Sequence, residues 1–400
     1  MKILMLNYEF PPLGGGGGVV FANIAAELAR RHEVDVVTTR GRGLQAFEVV
    51  DGARIHRVPV IGRGEESTAT LASLLSFPPS SVAKGLKLCL ERHYDVINSH
   101  FAVPTGPTGV VLSRLLGVPN VLSMHGGDLY DPSKRLSPHR SRLLRGVVRW
   151  VLRNSTCLLA ESQDVRQRAL RYYGVKRDIA VIPWGLKEPH FEKLSRGKLG
   201  LREGDLVVIS VGRLVRRKGL DCLLRALPKI GSPDVKLVVV GDGPERERLQ
   251  ELASELRIET QVSFLGNVTE ESKFQYLCAS DVFALPSLHE GFGLVFLEAM
   301  HCGLPIVTCD CGGHTDFLTD GRNGFLVPVG DVDAVASAIS TLARDGNLRA
   351  KMAKNNEEDI ERLTVAATAE RYEQVFQSVA ESSGNRRRQR GLTDSAAGVR

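Results

Sequence analysis

The chain has 400 residues, of which 43% are apolar, 24% charged and 6% aromatic, and its formal net charge is +6. This composition is that of a globular protein and excludes a mainly disordered, collagen-like or disulfide-scaffold chain. Seven cysteines, scattered apart from Cys309 and Cys311, read as buried thiols of a reduced, cytosolic chain, and 40 glycines predict many tight turns.

At roughly 150 residues per domain, two or three domains are expected. The charge is unevenly divided. Residues 1–180 hold 24 Lys and Arg against 15 Asp and Glu, residues 181–385 hold 23 against 30, and the last fifteen hold 5 against 1. A basic half joined to an acidic half predicts two lobes with different partners, the basic one favouring anionic ligands or surfaces. Met1 to Phe10 carries one lysine and a short apolar run, too little for a signal peptide. No run approaches the roughly 18 apolar residues of a spanning helix. The expected location is the cytoplasm, either in solution or on the inner face of the membrane.

Along the chain, Lys2 to Leu6 reads as a strand. A loop to Gly18 and a helix from Val19 to Arg30 follow. Further strands are predicted at Val34 to Thr38, Asp95 to Asn98, Asn120 to Ser123 and Cys157 to Glu161. Pro132 to Ala160 contains no acid but holds Lys134, Arg135, Arg140, Arg142, Arg145, Arg149 and Arg153. The arginines from 142 to 153 recur at helical spacing, with Leu143, Leu144, Val147, Val148, Val151 and Leu152 on the other side. Two readings stand for this segment: an amphipathic helix meeting an anionic membrane through 134–153, or a core-facing helix with a solvated basic face. Nucleic acid is not expected, because interleaved aromatics are missing.

The rhythm then restarts, with strands at Leu206 to Val211, Val235 to Val240, Asp281 to Leu285 and Pro305 to Thr308. Short apolar runs alternating with helices predict parallel α/β sheets, here two Rossmann-like domains. The expected division is 1–182 for an acceptor-binding domain and 183–360 for a nucleotide-binding domain. A helical segment at 361–383 is expected to pack back on the first domain, and a basic tail at 384–400 to be disordered. Ligands of open parallel sheets bind beyond the carboxyl ends of the strands, so the default site is a cleft between two facing sheets.

Three segments at such ends carry chemistry. Gly14 to Gly18 follows the first strand and precedes a helix, so the amides of Gly17 and Gly18 are candidates for a phosphate. Arg213 and Lys218 lie in Ser210 to Gly219, directly after a strand. A planar fork beside a compact charge suits a diphosphate, whereas Arg216 and Arg217 read as solvated. In Glu290 to Met300, a helix starting near Gly293 or Leu294 would aim free amides, with Phe292, at an anion. Each glutamate there suits a pair of vicinal hydroxyls. Cys309-Asp310-Cys311 has no second ligand pair at zinc spacing and reads as thiols without metal.

Glu290 and Glu298, seven residues apart with Gly-Phe-Gly after the first, resemble the signature of glycosyltransferase family 4. The resemblance extends from Met1 to about Val379. Arg213 and Lys218 match its diphosphate-binding pair, and Gly241-Asp242-Gly243-Pro244 and Phe264-Leu265-Gly266 match turns of its base pocket. Gly312-Gly313 and Gly321 to Leu326 match its late glycine motifs, and His125-Gly126-Gly127-Asp128 matches its first-domain histidine motif. The interdomain turn departs from the pattern, reading Pro183-Trp184-Gly185-Leu186-Lys187.

The resemblance implies a GT-B fold and retaining, metal-independent transfer of a hexose or N-acetylhexosamine from a UDP- or GDP-sugar, with no cofactor. It implies donor contacts from Gly17, Gly18, Arg213, Lys218, Gly243, Leu265, Phe292, Gly293, Leu294 and Glu298, and catalytic roles for His125, Glu290, Arg213 and Lys218. His125 would touch the sugar's outer hydroxyls or steady developing charge. His100 and Asp128 would line the acceptor side, and the acceptor would be a carbohydrate or a lipid-linked or phosphorylated molecule. The alternatives are a non-catalytic nucleotide-sugar-binding subunit and a same-fold epimerase.

Overall fold

A computed structural model describes residues 1–63, 69–133 and 137–397, with side chains up to 384. The chain divides into two compact units, one carried by residues up to Gly185 and the C-terminal helix from Val365, the other by Leu186–Thr364.

The first unit contains β1 (Lys2–Leu6), α1 (Gly16–Ala29), β2 (Glu33–Thr39), β3 (Phe47–Val50), β4 (Ala53–Val58), α2 (Leu71–Glu91), β5 (Val96–His100) and α3 (Gly106–Leu116). It continues with β6 (Asn120–Met124), α4 (Arg142–Asn154), β7 (Cys157–Ala160), α5 (Gln163–Tyr173) and β8 (Ala180–Val181). The second unit contains β9 (Leu206–Val211), α6 (Leu220–Ile230), β10 (Val235–Val240), α7 (Arg246–Glu255), β11 (Val262–Gly266), α8 (Glu270–Cys278), β12 (Val282–Leu285), α9 (Leu294–His301), β13 (Ile306–Cys309), β14 (Gly324–Val327), α10 (Val332–Arg344) and α11 (Gly346–Ile360). α12 (Val365–Ala397) completes the first unit.

The first sheet has strand order β3-β4-β2-β1-β5-β6-β7-β8, and the second β11-β10-β9-β12-β13-β14. Every pairing is parallel except the β3–β4 hairpin. In β1, β5, β6, β9 and β12 nearly every residue is buried, as helices on both faces of a parallel sheet require. Strand order reverses direction at β1/β5 in the first unit and at β9/β12 in the second. In a doubly wound sheet these switch points open the crevice that holds ligands, so the segments after β1, β5, β9 and β12 are where chemistry is placed.

α12 packs on α1. Ala369, Tyr372 and Phe376 are buried, and the Glu373 carboxylate lies 2.6 Å from Arg31 Nη2 and 3.0 Å from His32 Nε2. Its backbone runs to Ala397, where the sequence reading placed disorder from 384. Arg, Gln and Ala are good helix formers, and the isolated Gly384 and Gly391 do not outweigh them. Residues 398–400 of that tail lie outside the described residues. α1 begins at Gly16 instead of Val19, so three of the five glycines of the run are helical.

The basic segment forms α4, with Val148, Val151 and Leu152 buried and Leu143 exposed. Leu143 therefore leaves the apolar side assigned to it. Lys134 and Arg135 of the same basic run lie outside the described residues. Among the described residues no helix is long and apolar enough to cross a membrane.

Candidate functional site

The second unit's switch point gathers a charged cluster. β9 ends at Val211, and just beyond it Gly212, Arg213 and Lys218 line one small recess with Ser210. A 3-10 turn over Arg216–Lys218 delivers Lys218 inward. Its Nζ donates to Glu290 Oε1 at 2.6 Å, beside the Ser287 hydroxyl at 2.8 Å, and Arg217 Nη1 donates to Glu290 Oε2 at 3.1 Å. Arg217 is thus a partner of Glu290, where the sequence reading left it solvated. The tight turn carries its side chain to the same carboxylate.

Burial opposes the Glu290 charge, but the Lys218 and Arg217 cations and the hydrogen bonds from Lys218 and Ser287 outweigh it and hold this carboxyl well below its ordinary range. Burial also pushes the Lys218 ammonium down, against the attraction of Glu290.

After β12, the chain turns through Pro286–Gly293 into α9, whose N-cap Gly293 has φ 87°. Phe292 is buried, and with Gly293 and Leu294 it forms the approach to the helix N-terminus. Glu298 lies in the second turn, nearly fully buried, and accepts from Lys273 Nζ of α8 at 2.8 Å. Lys273 is a site residue that sequence reasoning missed. Burial raises the Glu298 carboxyl above its ordinary value, against the Lys273 charge and hydrogen bond.

Two glycine motifs serve the cluster. A Cβ on Gly312 (φ 92°) would stand 2.2 Å from the Glu290 carbonyl oxygen, and Gly313 N donates to that oxygen at 2.9 Å. A Cβ on Gly243 would stand 2.4 Å from the Leu214 carbonyl oxygen, so the 241–243 turn packs on the loop after β9. Gly241 N donates to Gly266 O at 2.8 Å, which brings Leu265, near the end of β11, to the same edge.

In the first unit the predicted residues converge differently. His125, just after β6, has a side chain only 1% exposed. Its Nδ1 meets Glu161 Oε2 at 3.0 Å and its Nε2 meets His100 Nδ1 at 2.8 Å. Asn98 Nδ2 donates to the Val121 carbonyl at 3.0 Å and to Ser123 Oγ at 3.1 Å, so Asn98 Oδ1 must accept from His100 Nε2, 2.7 Å away. A neutral His100 then accepts from His125 Nε2, which leaves one proton shared between His125 Nδ1 and Glu161. Tyr372 of α12 stacks on His100, while Phe101 and Trp184 flank His125.

Both ring nitrogens of His125 are therefore engaged inside the unit, and neither is presented to a sugar hydroxyl as the sequence reading had it. Burial pushes this imidazole down to about 3 and carries His100 well below its ordinary value, with His125 adding to the latter. His100 is wholly buried and does not line an acceptor surface. Asp128 is likewise interior. It accepts from the His125 and Ala102 amides, tying the loops after β5 and β6 together. Burial pushes its carboxyl up to about 6, against those backbone hydrogen bonds.

The glycine loop departs from expectation at Gly18. Gly18 N donates to Gly15 O and Gly15 N to the Glu9 carboxylate, so these amides are spent on the helix start, and Gly17 lies against the Phe101 ring. Among the described residues no cluster of three or more His, Cys, Asp or Glu side chains is arranged to hold a metal ion.

Comparison with known proteins places this arrangement. Residues 14–187 match the family described as Glycosyltransferase Family 4, and residues 191–359 that described as Glycosyl transferases group 1. A D-inositol 3-phosphate glycosyltransferase of Corynebacterium jeikeium is 32% identical over 95% of this chain and 97% of its own. A GDP-mannose-dependent alpha-(1-6)-phosphatidylinositol monomannoside mannosyltransferase of Mycolicibacterium smegmatis is 29% identical over 88% of this chain and 91% of its own.

Among solved structures, a sucrose-phosphate synthase from Thermosynechococcus elongatus superposes with TM-score 0.85, at 24% identity, over 96% of this chain and 100% of that one. Anabaena HepE in complex with UDP-glucose gives TM-score 0.74 at 25% identity, over 94% and 100%. The chain belongs to glycosyltransferase family 4, and its two parallel-sheet units are the two Rossmann-like halves of a GT-B fold.

Proposed function

We propose that this protein transfers a hexose or N-acetylhexosamine from a nucleoside diphosphate sugar to a hydroxyl of an anionic acceptor, retaining anomeric configuration and using neither metal nor cofactor. The observation that carries the reading is the buried Lys218–Glu290–Arg217 cluster at the β9/β12 switch point, with Glu298 and the start of α9 beside it. GDP-mannose, named for the Mycolicibacterium relative, and UDP-glucose, bound to the Anabaena protein, support a UDP- or GDP-sugar donor. The inositol 3-phosphate and phosphatidylinositol mannoside named for two relatives support an anionic acceptor.

In this reading Glu298 holds the ribose hydroxyls and Glu290 those of the donor sugar, while Gly243 and Leu265 border the base. Lys218, Arg213 and the amides at Phe292–Leu294 take the diphosphate. As the bond from the anomeric carbon to the phosphate oxygen breaks, that oxygen gains charge facing cations already in place. Such preorganised donors contribute on the order of 3 kcal/mol each. The acceptor hydroxyl attacks from the leaving-group face and passes its proton to the departing phosphate oxygen, so the new glycosidic bond keeps the original configuration. His125 acts through the buried string ending at Glu161 and contributes its dipole to the developing charge instead of a direct hydrogen bond. The protein works in the cytoplasm, and the basic face of α4 meets the inner leaflet where the acceptor is a lipid.

Glu290→Gln tests the reading. Loss of transfer with nucleoside diphosphate binding kept within threefold supports it. Unchanged biological activity of the variant would instead indicate a nucleotide-sugar-binding subunit. Proton NMR of the product's anomeric centre decides retention against inversion.

A further inference from the structure

Against the segment leaving β1 lies a cation whose charge no carboxylate among the described residues answers. Arg63 follows β4 and is 8% exposed. Its Nη1 donates to the Tyr8 hydroxyl at 3.1 Å, and its Cζ stands 4.9 Å from the Tyr8 ring centre. Tyr8 is itself fixed, with its hydroxyl 2.6 Å from Ser73 Oγ and its backbone N donating to Thr105 Oγ1 at 3.2 Å. Both contacts are with the neutral Tyr8 side chain, and among the described residues Arg63 Nε and Nη2 are buried without an acceptor.

Nε and Nη2 are the two parallel donors on one edge of a guanidinium, the edge that grips carboxylate or phosphate side-on. This chain uses that edge elsewhere. Arg54 holds Asp35 through Nε at 2.9 Å and Nη2 at 2.7 Å, and Arg322 holds Asp359 through the same atoms at 2.9 Å each. Arg57, near Arg63 in the chain, pairs with Glu48 at 2.8 Å. Among the described residues no carboxylate pairs with Arg63. An arginine keeps its charge when buried, and an uncompensated buried charge is among the costlier features a fold can carry. Asn7, between β1 and Tyr8, adds a second orphan, its buried Nδ2.

The position suits a substrate. β1, β5 and β6 are successive neighbours, and Tyr8, His100 and His125 lie at their carboxyl ends. At about 4.8 Å between strands, the Tyr8 segment stands roughly 10 Å across the sheet edge from His125. That is a small-molecule span.

We propose that the unpaired edge of Arg63 recognises the oxyanion group, phosphate or carboxylate, of the acceptor. The assignment rests on the reading of the first unit as the acceptor-binding half of a transferase and names the acceptor's chemical class. The oxyanion binds side-on across Nε and Nη2, Tyr8 holds the guanidinium in place, and the acceptor's hydroxyl extends along the sheet edge toward β6.

The test compares Arg63→Met with the parent, both carrying Lys218→Met so that the second unit's cations do not answer for the first. Thermal midpoints are measured with inorganic phosphate against chloride at matched ionic strength. Sedimentation is measured with phosphatidylcholine vesicles with and without phosphatidylinositol. The expected result is stabilisation of the parent by phosphate and at least tenfold weaker phosphate binding with Arg63→Met. The midpoint of Arg63→Met without phosphate should stay the same or rise, since a charge lacking a partner has been removed.

Loss of phosphatidylinositol-dependent sedimentation in the same variant assigns the oxyanion to a lipid headgroup. Loss of the phosphate response alone assigns it to a soluble acceptor. A lowered midpoint with an unchanged phosphate response would overturn the proposal and leave Arg63 as a structural residue satisfied by water. Nucleoside diphosphate binding by the protein with Lys218 intact is scored separately, so failure of the donor reading is not mistaken for failure of this one.

Discussion

Lys273→Met takes the cation hydrogen-bonded to Glu298 away from a carboxylate whose side chain is 8% exposed, while keeping the length of the side chain that lies over Phe274. Breaking a buried pair costs about 3–5 kcal/mol when the remaining charge stays ionised. Glu298 has an escape, because it can bind a proton, and burial already favours its neutral form. The ceiling on the loss is the work of protonating a carboxyl of ordinary value 4.5, which is about 3.4 kcal/mol at pH 7 and about 1.4 kcal/mol at pH 5.5.

The sign follows from the direction of the shift. The folded value lies above the unfolded one, so the penalty exists above the unfolded value and fades as pH falls toward it. Urea unfolding followed by far-UV circular dichroism is expected to show a loss of about 2–3 kcal/mol at pH 7 and about 1 kcal/mol at pH 5.5. Glu298→Gln in the same chain should recover most of it. An equal loss at both pH values, or strict additivity of the two substitutions, would refute the buried pair as described.

Three further outcomes follow from the same geometry. Gly312→Ala forces a Cβ onto the Glu290 carbonyl oxygen at 2.2 Å, in a left-handed conformation. It should cost at least 2 kcal/mol by the usual scale of backbone strain and overpacking, with transfer falling more than tenfold in a kcat assay. Burial lowers the Lys218 ammonium, so its charge is lost before the ordinary lysine range as pH rises. Nucleoside diphosphate affinity should accordingly weaken as pH rises, before the ordinary lysine range is reached, a limb that Lys218→Arg removes. Cys278 and Cys302 face each other with sulfurs 2.8 Å apart at the ends of α8 and α9, and the hydrogen bond between them lowers the Cys278 thiol. Hydrogen peroxide should convert the pair to a disulfide and two waters, read as the loss of two titratable thiols that neither single serine variant shows.

The alternation of short apolar runs with helices made both sheets legible, because a strand buried on both faces has a continuous apolar signature. β9 and β10 fall where the sequence placed them, at Leu206–Val211 and Val235–Val240. Apart from Ala53–Val58, six residues long and largely buried, the strands it passed over are short, and several lie at sheet edges: Phe47–Val50 is largely exposed, Val262–Gly266 only half-buried, and Gly324–Val327 opens on a glycine.

Within the site, Lys218, Glu290 and Glu298 were legible because spacing within a motif is local. Lys273 was not, since it meets Glu298 across 25 residues and the pairing exists only once α8 packs beside α9. The same holds for Glu161, 36 residues from His125. A histidine motif announces a functional imidazole, but not that topology will spend both its nitrogens on neighbouring strands. Arg217 and Lys218 are adjacent basic residues in a polar run, and the 3-10 turn that aims both at Glu290 leaves no mark in composition.

The diphosphate site proposed for the second unit is tested most directly by isothermal titration of the full chain with uridine and guanosine diphosphates. One of the two should bind, adding about 2.7 kcal/mol of stability at a hundredfold its dissociation constant. Lys218→Met and Glu298→Gln should each weaken that binding at least tenfold. Binding of neither nucleotide, or affinities untouched by both substitutions, would contradict the account.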